Sequence, residues 1–202
     1  MGISPRQFEQ LRQRLEAPAR RPAAVFTTSE AGGQPRHHLI LGIDPSLRGT
    51  GYGVIHASRG RIEALEHDVI RCPPGWERSR CLLKITETVR EVTRRLQPTV
   101  CVIESLFHAQ NFQTALILGE ARGASLVAVA EAGLAIYELA PRRVKQAVVG
   151  YGAAQKLAVA KMIQRMLALT ELPPPDAADA LALAVTFAQE QGHPALSSPK
   201  RL

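Results

Sequence analysis

The sequence predicts an α/β domain in which a five-stranded mixed sheet carries helices on both faces. Three apolar strand patterns come first, at 39–44, 51–57 and near 62–71, and they are separated by short turns. Short connections make these three strands antiparallel. Strand and helix patterns then alternate, and connections that contain a helix suit parallel neighbours. Together the two patterns indicate one mixed sheet.

The later elements follow from hydrophobic periodicity. Residues 77–96 repeat apolar side chains at helical spacing, and Pro98 ends that helix before an apolar strand at 99–104. The remaining predicted elements are a helix at 112–132, a strand near 135–139, helices near 142–148 and 153–168, and a final helix at 177–188.

Composition and breaker residues predict the domain boundaries. With 46% apolar and 21% charged residues, the 202-residue chain is long enough for one domain with a full core, expected at 38–190. Residues 1–37 begin with a short helix pattern and then lose periodicity among Pro and Gly, which predicts a flexible extension, and 191–202 are expected to form a C-terminal tail. The lack of a membrane-spanning or signal-peptide pattern predicts a cytoplasmic protein without a membrane partner.

The charge of the chain favours a polyanionic partner. The net charge is +7, and residues 139–170 contain no acid. This stretch contains six cations: Arg142, Arg143, Lys145, Lys156, Lys161 and Arg165. Each of them taken singly is as typical of a solvated helix face as of a contact with a ligand. In a chain in which Asp44, Glu104, Asp176 and Asp179 are expected to form an acidic pocket, the stretch as a whole is better interpreted as a surface for a phosphate backbone.

Four acids lie where apolar elements begin or end. Asp44 ends the first apolar strand, Glu104 ends the strand at 99–104, and Asp176 and Asp179 open the final helix. If the two strands are neighbours, the four carboxylates form one pocket. Taken singly, Asp44 fits an Asx turn and the other two aspartates fit helix caps, which contribute about 1 kcal/mol. Like charges about 5 Å apart repel by roughly 3 kcal/mol per pair at an effective dielectric of about 20, so the cluster indicates bound cations.

The ligand types narrow the choice of metal. Carboxylates without His or Cys suit Mg²⁺, for which Mn²⁺ is the expected substitute, and several carboxylates suggest two ions. The three cysteines are odd in number and the six histidines lack zinc-ligand spacing, which argues against a disulfide or zinc framework.

The element order βββαβαβααα resembles the ribonuclease H-like fold, in which the first and fourth strands are neighbours. Five motifs in order over 39–189 then resemble the RuvC family of Holliday-junction resolvases. They are Ile43-Asp44-Pro45 with Gly51-Tyr52-Gly53-Val54-Ile55, Ile103-Glu104 with Phe107 and Asn111, Leu118-Gly119-Glu120-Ala121-Arg122-Gly123, Val144-Lys145-Gln146-Ala147-Val148-Val149-Gly150, and Asp176-Ala177-Ala178-Asp179-Ala180-Leu181-Ala182.

The resemblance implies an Mg²⁺-dependent endodeoxyribonuclease that cuts two symmetric strands of a four-way junction in DNA recombination and repair. It assigns metal binding and catalysis to Asp44, Glu104, Asp176 and Asp179, with Lys145 as a catalytic cation. The DNA contacts it implies are Phe107 near the branch point, Asn111, Arg122, Arg142, Lys145 and Lys156. The implied partners are junction DNA, a second copy of the chain in a homodimer, and a branch-migration complex of RuvA and RuvB. Without the resemblance, Phe107 is more typical of a core residue and Asn111 of a helix cap.

Several alternatives remain open at the level of sequence. The helix at 112–132 is apolar or small nearly all round, which fits a dimer interface and equally a helix buried between layers of one chain. The first strand and its Gly-Thr-Gly turn also resemble the phosphate loop of actin-like phosphotransferases. A related nuclease acting on RNA would share the acidic pocket, and a non-catalytic junction-binding module would share the basic stretch.

Overall fold

The computed structural model describes residues 37–58, 61–105, 111–191 and 199–202. The strands are β1 Leu39–Asp44, β2 Gly49–Ser58, β3 Arg61–Arg71, β4 Val100–Glu104, β5 Ala135–Leu139 and β6 Lys200–Arg201. The helices are α1 Arg78–Leu96, α2 Phe112–Glu131, α3 Pro141–Val149, α4 Lys156–Met166 and α5 Pro175–Glu190. One mixed sheet in the order β3-β2-β1-β4-β5-β6 has helices on both faces, as predicted.

The alternation of side chains along β1 divides the core into two layers. Ile40 faces α3, α4 and α5 and packs with residues such as Ile163 and Leu181. Leu41 and Ile43 face α1 and α2 on the other side of the sheet. Strands that are apolar on both faces are buried by helices on both faces, which is why β1 and β4 are nearly continuous apolar runs.

The prediction of five strands is wrong by one strand. β6 pairs antiparallel with β5, joining Arg201 to Tyr137 and Lys200 to Glu138. Two exposed basic residues have neither length nor hydrophobic alternation, so the strand has no signal in sequence. Part of the predicted C-terminal tail therefore belongs to the sheet.

β1 pairs antiparallel with β2 and parallel with β4, so the predicted adjacency of the first and fourth strands is confirmed. The β1–β4 register places Ile43 opposite Ile103. The next residue of each strand is an acid, and both acids therefore emerge at the same edge of the sheet.

Among the described residues, no helix has the length and apolar character needed to cross a bilayer. The predicted short helix in the extension and the predicted DNA contact Phe107 lie outside the described residues.

Candidate active site

Glycines on the sheet allow α5 to approach closely enough to bring its acids to β1. A Cβ at Gly42 would overlap the carbonyl oxygen of Ala180, and one at Gly51 would overlap the carbonyl oxygen of Asp176. Gly51 is also the antiparallel partner of Asp44. Because these glycines lack Cβ atoms, the first turns of α5 lie directly on the β1–β2 pair beside Asp44.

Three aspartates form the centre of the site. One carboxylate oxygen from each of Asp44, Asp176 and Asp179 lies within 4.8 Å of the other two. Glu104 lies next to Asp44 and shares a hydrogen bond with it. The four predicted acids are therefore brought together, and the oxygens of the three aspartates are close enough to share a cation.

Burial and mutual repulsion oppose ionisation of this cluster. Asp44 is only 9% exposed, and burial, followed by the charges of Glu104 and Asp179, raises its pKa to about 9. Burial is also the largest cause that raises the pKa values of Glu104 and Asp179. Acids that resist ionisation are expected to gain most from a cation that offsets their charge.

The helix-cap interpretation of the α5 acids does not match the structure. Pro174 is the N-cap, without a side-chain capping bond, and Asp176 is the second residue of the helix. Both carboxylates instead form ion pairs with Lys156. The Lys156 Nζ donates a hydrogen bond to Asp176 Oδ1 at 2.9 Å and lies 3.1 Å from Asp179 Oδ2. The two side chains therefore line the acidic pocket and do not cap the helix.

Two lysines of the acid-free stretch line the same cavity, which has a volume of about 260 Å³. Burial lowers the pKa of Lys156, but its hydrogen bond to Asp176 and the charge of Asp179 outweigh that effect and raise the pKa above its usual value. The positive charge of Lys145 lowers the pKa values of Glu104 and Asp179. Lys156 thus remains charged beside the acids.

The other predicted DNA contacts lie in different environments. Arg122 is turned inward, with a side chain only 15% exposed, and pairs with Glu138 at 2.8 Å while its Nε donates to the Glu104 carbonyl at 3.3 Å. Asn111 caps α2 by accepting a hydrogen bond from the Thr114 N–H. Arg142 is exposed on α3. The pairing of Arg122 with Glu138 supports the strand end that presents Glu104.

Sequence reasoning missed the glycines that seat α5. Gly49, Gly51 and Gly53 alternate along β2, and all three Cβ positions point at α5. Glycine at alternating positions of a strand is the available signal, because it marks one face where another backbone comes close.

The family model described as Crossover junction endodeoxyribonuclease RuvC matches residues 40–187. The chain belongs to the RuvC family. The curated RuvC of Moorella thermoacetica is 48% identical over 151 residues, which are 74% of this chain and 90% of the relative. The curated RuvC of Pasteurella multocida is 46% identical over 155 residues, 77% of this chain and 81% of the relative.

A solved structure described as T. thermophilus RuvC in complex with Holliday junction substrate matches with a TM-score of 0.73 and 35% identity, covering 82% of this chain and 100% of that chain. The ribonuclease H-like fold predicted from sequence is confirmed by this likeness. RuvC-family enzymes are DNA endonucleases that depend on divalent metal, and the acidic cluster of this chain is suited to hold such an ion.

Proposed function

We propose that this RuvC-family chain resolves four-way DNA junctions by metal-dependent hydrolysis of two symmetric strands in recombination and repair. The observation that carries the proposal is the convergence of Asp44, Asp176 and Asp179 within 4.8 Å, with Glu104 beside Asp44 and two lysines at the rim. The T. thermophilus relative was solved with a Holliday junction substrate, which supports the choice of DNA structure.

The donor set fits divalent ions that prefer hard oxygen ligands. Asp44 neighbours Glu104 on one side and Asp179 on the other, so these acids together with Asp176 would hold the ions. We infer two Mg²⁺ ions, with Mn²⁺ as substitute. Such ions supply Lewis acidity for the phosphoryl oxygens and acidify the attacking water.

The side chains around these ligands have separate roles in the proposed reaction. Asp179 orients the attacking water. Lys145, a fixed cation on the cavity wall, stabilises the charge that develops on the phosphoryl group. Lys156 compensates for Asp176 and Asp179 and contacts a phosphate near the cut, and Arg142 and Asn111 flank the DNA path.

A homodimer is the assembly that suits cutting two strands of a junction with approximate two-fold symmetry. On α2, Ala121, Ser125, Ala128 and Val129 are buried. Another side of α2 presents the exposed side chains of Phe112, Leu116 and Val127. Added Cβ atoms at Gly119 and Gly123 would meet open space. Among the described residues this face is therefore uncovered, and we propose it as the dimer interface, with the RuvA–RuvB branch-migration complex as a further partner.

The function is tested by incubating the purified chain with a labelled four-way junction, a linear duplex, a flap and an RNA duplex, with Mg²⁺ or with EDTA. Symmetric cuts in the junction, in Mg²⁺ alone, are expected. Preferential cutting of RNA would support the ribonuclease alternative, and binding of the junction without cutting would support a non-catalytic module. Hydrolysis of ATP, when ATP and Mg²⁺ are added to the chain, would instead favour a phosphotransferase of the actin-like kind.

Lys156→Ala is expected to lower the slope of log affinity against log salt by about one unit, because one phosphate contact releases about one counterion. Binding of the junction in EDTA at several salt concentrations measures the slope. Lys161→Ala, at a basic position of the same helix that does not line the catalytic cavity, is the matched control. Equal slopes for wild type and Lys156→Ala would remove Lys156 from the contact surface.

Removal of residues 1–36 is expected to leave folding, dimerisation and cleavage intact. The backbone N–H of His37 donates to Gln191 Oε1 at 2.6 Å, and Gln191 Nε2 donates to the His37 carbonyl, so the start of the described domain is tied to the residue that follows α5. The shortened protein should bind junctions less tightly than the full chain mainly at low salt, since the extension carries a net charge of +3 from six Arg and three Glu. Thermal unfolding and cleavage assays compare the two proteins, and loss of either property would move the boundary.

A further inference from the structure

A second groove adjoins the catalytic cavity on the opposite side of Asp176. It has a volume of about 500 Å³ and lies between the start of β2, the end of β3 with the residues that follow it, and the start of α5. Asp176 is common to the walls of both cavities. Asp176 Oδ1 accepts a hydrogen bond from Lys156. Its Oδ2 would lie 3.1 Å from a Cβ atom added at Gly49. The carboxylate thus separates two spaces that meet at the acidic cluster.

The groove combines positive charge with apolar walls. Its cations are Arg48 and Arg71. Its apolar walls include Pro73 and Pro74 on one side and Pro174 and Pro175 on the other. Proline offers no N–H donor and little conformational freedom, so these walls are rigid surfaces suited to a sugar or the face of a base. The volume is in the range of about 300–1,000 Å³ that is typical of small-molecule sites, which is ample for one nucleotide.

Arg48 has a fixed position in the groove. Its guanidinium donates to the carbonyl oxygens of Pro73 at 2.6 Å and Trp76 at 3.0 Å, and to the sulfur of Cys81 at 3.2 Å. The two carbonyl acceptors carry no net charge, so their bonds orient the guanidinium without cancelling its charge. Arg48 therefore shapes the loop after β3 and contributes a positive potential to the groove.

Arg71 is available to bind an anion. Its side chain is 66% exposed, and its ion pair with Asp68 spans 3.6 Å between exposed groups, an arrangement that contributes little. The sheet register places Arg71 opposite Gly49, and directly opposed residues of an antiparallel pair point to the same face. Since the Cβ position of Gly49 points at Asp176, Arg71 lies on the same face, beside the acidic cluster.

We propose that this groove binds the nucleotide of the cut strand that neighbours the scissile phosphate, with Arg71 on its phosphate and the prolines against its sugar or base. The proposal rests on the proposed function, because the position of the groove beside the acids matters only if a strand is cut there. A strand that crosses the metal site must pass the four carboxylates, and cations on the far side of Asp176 offset that repulsion. Arg71 is a binding and positioning residue in this scheme.

The first test compares Arg71→Ala with Arg71→Lys and with Arg61→Ala, all in the full chain. Arg61 is 77% exposed and lies at the other end of the same strand, so it is a matched control. With a labelled four-way junction in EDTA, Arg71→Ala should lower the salt slope by about 0.9 and the affinity at 0.1 M salt by about 3- to 10-fold. Arg71→Lys should keep the slope because it keeps the charge, and Arg61→Ala should match wild type.

The second test locates the contact. A neutral methylphosphonate is placed at the phosphate on either side of the mapped cleavage position, one at a time. At one of the two positions it should weaken binding by the wild type but cause no further loss in Arg71→Ala, since both changes remove the same interaction. Additive losses at both positions, or equal salt slopes for Arg71→Ala and Arg61→Ala, would overturn the proposal.

A kinetic measurement separates this proposal from the proposed function. In Mg²⁺, the single-turnover cleavage rate of Arg71→Ala should reach half its maximum at a protein concentration about 3- to 10-fold higher than for wild type, because the variant binds the junction less tightly. A large fall in that rate with an unchanged salt slope would contradict a binding role for Arg71. A wild-type chain that cuts no junction would refute the proposed function, whatever the salt slopes of the variants.

Discussion

Asp44→Asn is expected to abolish junction cleavage in a protein that remains folded and still binds junctions. Asp44 is the buried centre of the acidic cluster, and an amide in its place removes a negative ligand from the cation site. We expect a loss of more than about 10³-fold in rate, since removal of a single positioned electrostatic group already costs about 10²–10³. Single-turnover cleavage in Mg²⁺ measures the loss, and an electrophoretic shift in EDTA measures binding.

The same substitution should stabilise the metal-free protein at neutral and alkaline pH. Asp44 has a pKa of about 9 in the folded protein, against its ordinary value of 3.8, because of burial and the charges of Glu104 and Asp179. The folded state therefore holds a proton that the unfolded state has lost. The contribution of Asp44 to stability then falls as pH rises from about 4 to about 9.

Urea unfolding in EDTA at pH 5 and pH 8 tests this sign. Asp44→Asn should lose less stability than wild type between the two pH values, while Glu104 and Asp179 retain part of the slope in the same direction. Asp68→Asn is the matched control, since Asp68 is the remaining aspartate and lies exposed on β3. Near wild-type cutting by Asp44→Asn in Mg²⁺ would disprove its assignment as a ligand.

Gly51→Ala is expected to destabilise the fold strongly and to remove activity without changing any acid. Its Cβ would overlap the carbonyl oxygen of Asp176, which is backbone and cannot rotate away. Overpacking commonly costs about 1–3 kcal/mol, and a backbone clash belongs at or beyond the upper end of that range. Moving α5 away from β2 to relieve this overlap also moves Asp176 away from Asp44, the partner of Gly51 in β1. A misplacement of about 1 Å at a reacting centre costs roughly 10²-fold in rate.

Gly75→Ala is the control for this prediction, because a Cβ at Gly75 meets no heavy atom within 4 Å. It should stay within about 0.5 kcal/mol of wild type, as exposed substitutions do. Urea denaturation and cleavage in Mg²⁺ give the two readouts. A Gly51→Ala protein as stable and as active as Gly75→Ala would show that α5 tolerates displacement from the sheet.

Local pattern was sufficient to predict five of the six strands, the five helices and the positions of the four acids along the chain. An apolar run that ends in a carboxylate is visible in sequence at Asp44 and at Glu104, and the element order indicates that the two strands are neighbours. The charge repulsion expected among four clustered acids led to a cation site by simple electrostatics. These inferences depend on spacing along the chain, which a single sequence displays directly.

Only the tertiary structure decided which charged groups face each other. The sequence of the basic stretch indicates one phosphate surface. In the structure, however, Lys156 pairs with Asp176 and Asp179 of α5, and Arg143 of α3 pairs with Glu190, which is also on α5. Arg122, predicted as a DNA contact, is turned inward to Glu138. Such pairs join residues from separate elements, and neither periodicity nor spacing encodes which side chains meet.

The second groove shows the same division between sequence and structure. Arg71 ends a weakly patterned strand and lies more than a hundred residues from Asp176, so the sequence carries no sign that they share a cavity. The sheet register and the bare backbone of Gly49 bring them together. The sequence by itself determined the four acids and the two strands and the helix that carry them, because those are local patterns. Which cations lie beside the acids was decided only when α5 packed on the sheet, because that packing joins segments that are distant along the chain.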